Sequence, residues 1–131
     1  MHARPEAFGM DALAELLHDL KQNGLATGHF LGFLHVVIGR RIAKKDGTQI
    51  VAGVTWRELA AQLKKQRWNT DVVKEIGLNP DDLPPRDRER FWYTAIMQAR
   101  VDSEEAAKAG DKFAALLKKK GYEVGPTPGM V

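Results

Sequence analysis

Four histidines are the residues of this chain best suited to acid–base or metal chemistry, because imidazole titrates near neutrality and binds divalent metals. Their spacing does not assemble a site. Glu15 and His18 stand in the E-x-x-H order of carboxylate-bridged di-iron bundles, but such a centre takes a second copy of the motif and two further glutamates, and no other E-x-x-H occurs. His29 and His35 are six residues apart, on different faces of a helix, and His35 sits in an apolar run where a hydrogen-bonded core histidine is expected. The absence of cysteine removes disulfides, thiolate zinc sites and thiol nucleophiles. Ser103, the single serine, lacks G-x-S-x-G surroundings and stands where a helix cap belongs. The glycines form neither a G-x-x-x-x-G-K-[ST] loop nor a strand-linked G-x-G-x-x-G, so no nucleotide cradle is indicated. Asp81, Asp82, Asp87 and Glu89 fall in a Pro-rich connector and helix start, where a solvated role suffices. The expectation is a protein with no enzymatic activity, metal or cofactor.

Charge says more. Twenty Lys and Arg against seventeen Asp and Glu give a net charge of +3, compatible with a polyanionic partner. The basic residues bunch at Arg40, Arg41, Lys44 and Lys45, at Lys64, Lys65 and Arg67, at Arg86, Arg88 and Arg90, and at Lys118, Lys119 and Lys120. The aromatics Trp56, Trp68, Phe91, Trp92 and Tyr93 offer stacking surfaces near some of them. Phe91, Trp92 and Tyr93 are consecutive, so on a helix they cannot share one face, and one of them must be exposed or buried against a partner.

The elements that must position these groups are mostly helical. Asp11 to about Gln22 carries Leu13, Leu16, Leu17 and Leu20 at helical spacing and stops at Asn23-Gly24. A second helix from Thr27 to about Arg41 is apolar nearly all round, which marks it as the central core helix, and Gly28, Gly32 and Gly39 point to close approach of a neighbour. Asp46-Gly47 between short β-prone runs is a hairpin signal. Thr55 and Glu58 form a capping box that opens a helix to about Arg67. Asn69 or Thr70 caps a shorter helix ending at Ile76, before Gly77. After the connector Asn79 to Pro85, a helix carries Phe91, Trp92, Ala95, Ile96 and Ala99, and a last one starts near Asp102 and Glu105 and ends at Lys120.

The run T-x-x-E-L-A-x-x-L from Thr55 to Leu63 resembles the first helix of helix-turn-helix pairs. The resemblance implies a recognition helix over Asn69 to Ile76 with Asn69, Thr70, Asp71 and Lys74 outward. The turn departs from the pattern by holding Lys64, Lys65, Gln66 and Arg67 where a glycine is usual.

The sequence therefore predicts a mainly α fold, a single compact domain of five or six helices with a small β-hairpin at about residues 41–54. The helical domain is expected over residues 10–121, between a flexible arm at 1–9 and a flexible tail at 122–131. The expected function is non-enzymatic binding, with DNA or RNA as ligand through a helix-turn-helix-like segment at 55–76. Arg40, Arg41, Lys44, Lys45, Lys64, Lys65, Arg67 and Lys74 are the expected phosphate contacts, and Asn69 and Thr70 the base or sugar contacts. The alternative is a protein-interaction or assembly subunit, self-associating or part of a larger complex, without nucleic-acid contact. No segment approaches the roughly 20 apolar residues of a membrane span, and no secretory signal is seen, so a cytoplasmic protein with no membrane partner is expected.

Overall fold

The computed structural model describes residues 5–51, 54–82 and 88–126. Its most apolar segment forms a helix, α2 (Phe30–Gly39), in which Phe30, Phe33, Leu34, Val36 and Val37 are fully shielded from water. A helix apolar on every side has to be surrounded. The helix α5 (Glu104–Lys119) lies along it, and the 3-10 segment Thr70–Ile76 packs against its start. The contact with α5 depends on small residues: a Cβ on Gly32 would stand 2.3 Å from the Ala109 carbonyl oxygen, and one on Gly110 only 2.4 Å from His35 Cδ2.

The expected Thr27 start of α2 moves to Phe30, because residues 24–29 form successive turns. His29 makes no side-chain cap; the Phe30 N–H is instead accepted by Glu75 from the 3-10 segment, 45 residues away in sequence.

The leucine stripe of the first helix, α1 (Pro5–Asn23), is buried as its spacing predicts. It starts at Pro5 and not at Asp11, since proline suits a first helical turn; residues 5–9, expected in a flexible arm, are therefore helical. The stop is a Schellman arrangement, with Leu25 N–H donating to Leu20 O, Gly24 N–H to Lys21 O, and Gly24 at φ +63°.

The hairpin forms at Asp46-Gly47, joining β1 (Ile42–Lys44) to β2 (Gln49–Val51). Gly47 takes φ +89°, and Asp46 accepts from the Thr48 N–H. The sheet has a further strand: β3 (Tyr122–Val124), within the expected flexible tail, pairs antiparallel with β1 and gives the order β2-β1-β3. Pairing on both edges is what makes so short a β1 stable, since a lone hairpin is marginal in water.

The helix α3 (Trp56–Lys65) packs on α4 (Arg88–Gln98). Between them and α2 sits an aromatic core: Trp68 stacks on Phe33 at 5.2 Å, Phe113 meets Phe33 edge-on, and Trp92 packs against Phe30 and Phe91. Phe91, Trp92, Ala95 and Ile96 of α4, and Ala99 just after it, are buried in this core together with α2, although the main helical partner of α2 is α5 and that of α4 is α3.

The expected recognition helix is not α-helical. Thr70–Ile76 is a seven-residue 3-10 turn, capped by Asn69 and closed by Gly77. With three residues per turn, Val73 and Ile76 fall on one side and pack on the core. The Leu83 to Pro85 connector, Arg86 and residues 127–131 lie outside the described residues.

Candidate nucleic-acid interface

α1, α3 and α5 each carry lysine in the last turn, namely Lys21, then Lys64 and Lys65, then Lys118 and Lys119. Each placement complements the negative end of a helix dipole and needs no ligand to account for it. The fold, however, brings these ends together. Lys21 Nζ donates to the carbonyl of Gln66, the residue that caps α3, at 2.6 Å, while Gln66 Nε2 donates to Ala14 O at 3.0 Å. Lys120 Nζ, at the end of α5, donates to Asn23 Oδ1 at the end of α1, 2.8 Å away. The β1–β2 turn closes on the same region, with Lys45 Cε 3.9 Å from where a Cβ on Gly121 would stand.

The acidic groups here are partly engaged. Glu15 Oε2 lies 3.9 Å from Lys44 Nζ, and Asp19 accepts from Asn23 and from the Tyr122 hydroxyl. Burial and the neighbouring Asp19 carboxylate push the Tyr122 phenol above its ordinary value, which keeps it a neutral donor.

Arg67 has a backbone conformation unexpected of its residue type. It has φ +53°, in the left-handed region that favours glycine. The chain enters that region because Trp68 must turn back into the core: it is 2% exposed and stacked on Phe33. Trp68 N–H donates to Leu63 O and Arg67 N–H to Lys64 O, closing the same Schellman geometry that Gly24 closes on α1. Arginine thus stands where glycine would be conformationally cheaper, and its side chain is exposed beside Lys64 and Lys65. Arg100, at φ +52°, is the other such residue among those described, but it lines a cleft that also holds Glu75 and Glu105.

Of the residues expected from the sequence, Lys44, Lys45, Lys64, Lys65 and Arg67 are exposed around this end. Arg41 is exposed at the far end of β1, where its carbonyl accepts from Gly125 N–H. Arg40 lies elsewhere, with its side chain 4% exposed and Nη2 2.8 Å from Asp111 Oδ1. Asn69 uses its side-chain oxygen to cap the 3-10 turn, Thr70 is half-buried, and Lys74 pairs with Asp71 at 3.4 Å. Lys21 and Lys118 to Lys120 belong to the gathered set although sequence reasoning left them out of the site. Their position in the last turns of helices was the available signal, but nothing local shows that three helix ends meet.

The described histidines, His18, His29 and His35, do not converge on one site. His18 and His29 are exposed, and His35 is buried with Nδ1 2.8 Å from the Val101 carbonyl, so that nitrogen carries the proton. Among the described residues no group of three or more His, Asp or Glu is placed to hold a metal ion, and no helix is long and apolar enough to cross a membrane. Comparisons with family models, with curated proteins and with solved structures find no match to this chain.

Proposed function

We propose that this is a non-enzymatic binding protein that holds nucleic acid, DNA or RNA, by its phosphates against the end of the molecule where α1, α3 and α5 terminate. The observation that carries the reading is Arg67, an exposed cation kept at φ +53° next to the gathered lysines, where glycine would cost less. A left-handed non-glycine residue costs about 1–2 kcal/mol, and a strained position that persists points to a use for its side chain. Phosphate binding uses what this end supplies, namely several flexible cations from different elements facing one region, with counterion release as the driving force. The segment 55–76 then acts through the end of α3 and its following turn, not through a helix laid in the major groove. A nucleic-acid ligand is consistent with the cytoplasmic placement expected from the sequence.

The test is charge reversal of Lys64, Lys65 and Arg67 together. Fluorescence anisotropy with labelled duplex DNA, single-stranded DNA and RNA at low salt is expected to show binding by the natural protein and none by the variant. Thermal unfolding should keep one cooperative transition, with a stability loss of about 1–2 kcal/mol from acidic residues at a helix C-terminus. Unaltered binding would remove the assignment.

A further inference from the structure

The exposed large apolar side chains among the described residues are Trp56, Tyr93 and Met97, and all belong to α3 and α4, which pack on each other. Tyr93 and Met97 are four residues apart and share one face of α4. The Arg57 guanidinium carbon stands 6.0 Å from the Tyr93 ring centroid, joining that face to α3. Arg57 and Lys64 are seven residues apart, hence in one row of α3, and that row leads to Lys65 and Arg67 at the basic end. The charged side chains exposed along α3 are all basic, because its one acid, Glu58, is half-buried and bonded to the Thr55 hydroxyl. Trp56 also lines a cleft together with Ile38, Val101, Asp102 and Glu104.

We propose that this face is a stacking platform for single-stranded nucleic acid, with bases on Tyr93 and Trp56 and phosphates running along Arg57, Lys64 and Lys65 toward Arg67. The inference rests on the reading of the basic end as a phosphate site and specifies the strand form it takes. An aromatic face beside arginine and a cationic row is the arrangement that binds unpaired bases with little sequence preference. A duplex keeps its bases stacked on one another and offers mainly backbone to such a surface. A protein partner would use the same rings, but the basic row of α3 that begins at Arg57 beside Tyr93 favours a polyanion.

Trp68 and Trp92 are buried, so quenching by a bound base would report on Trp56. Oligothymidylate of about 12 nucleotides and a duplex of the same length are titrated against the natural protein, Trp56→Phe and Tyr93→Ala. The single strand is expected to bind at least about tenfold tighter than the duplex and to quench the fluorescence, with the quench lost in Trp56→Phe. Tyr93→Ala should weaken single-strand binding about tenfold, the loss of one stacked base, and leave duplex binding unchanged. Equal affinity for both forms without quenching would overturn the platform while leaving the basic end standing. No binding to either would overturn both. A mass in light scattering that doubles with concentration, and stays monomeric in Tyr93→Asp, would assign the face to a second copy of the chain and overturn the proposal.

Discussion

Arg67 joins two demands that glycine alone would not meet: a left-handed turn that returns Trp68 to the core, and a cation at the end of α3. Arg67→Gly separates them. Glycine relieves the left-handed cost but adds freedom to the unfolded chain, so the expected net gain is about 0.5–1 kcal/mol in urea unfolding, with weakened polyanion binding in the same protein. A variant no more stable than the natural chain would show that φ +53° carries no cost here. Glu75 makes a second prediction at this scale. Burial holds its carboxyl above the ordinary value, outweighing the lowering pull of the Phe30 N–H and of His29. The folded state therefore binds the proton more readily than the unfolded chain. Its charge opposes folding above the raised value, and that cost is relieved as pH falls through it. Glu75→Gln keeps an oxygen for Phe30 and removes the charge, so any stability advantage over the natural protein should shrink as pH falls through the carboxylate range. Chemical denaturation across that range checks it, and an advantage that grows toward acid would contradict it.

At the scale of elements, legibility followed the locality of the cause. The leucine stripe, the Thr55 cap and the Asp46-Gly47 turn are set by residues within a few positions of one another, and each stands where expected. Even the cap differs in detail, with the Thr55 hydroxyl donating to Glu58 Oε1 where a capping box has the Thr55 N–H donating to that carboxylate. β3 was not legible, because Tyr122–Val124 becomes a strand only when the end of α5 delivers it to the open edge of β1. The 3-10 turn was missed for a related reason: the segment is tied to the start of α2 through Glu75 and the Phe30 N–H, a contact across 45 positions. Packing of α2 on α5 is the element-scale contact most open to test. Gly32→Ala puts a methyl 2.3 Å from the Ala109 carbonyl oxygen, a backbone atom with little room to give. The expected loss is about 1–3 kcal/mol despite the better helix propensity of alanine, read as a lower urea midpoint. An unchanged midpoint would mean that α2 and α5 can part at no cost.

For the molecule as a whole, the candidate site was half legible. Clusters such as Lys64, Lys65 and Arg67 could be seen as charge in the sequence, but which clusters face one region depends on contacts across 45 to 97 positions, such as Lys21 with Gln66 and Lys120 with Asn23. The same limit let Arg40 stand beside Arg41 as a candidate, although its guanidinium is turned inward to Asp111. A surface of this kind binds by summing weak contacts from separate elements, so no single lysine should be decisive and the total should respond to salt. The measurement to make is the dependence of the observed binding constant on salt for the natural protein and for Arg67→Gly, with labelled single-stranded DNA. A linear fall of log K against log salt is expected, with a slope of about −0.7 for each phosphate neutralised and a shallower slope in the variant. Binding that ignores salt, or no binding at the lowest salt, would contradict a phosphate-holding function for the basic end.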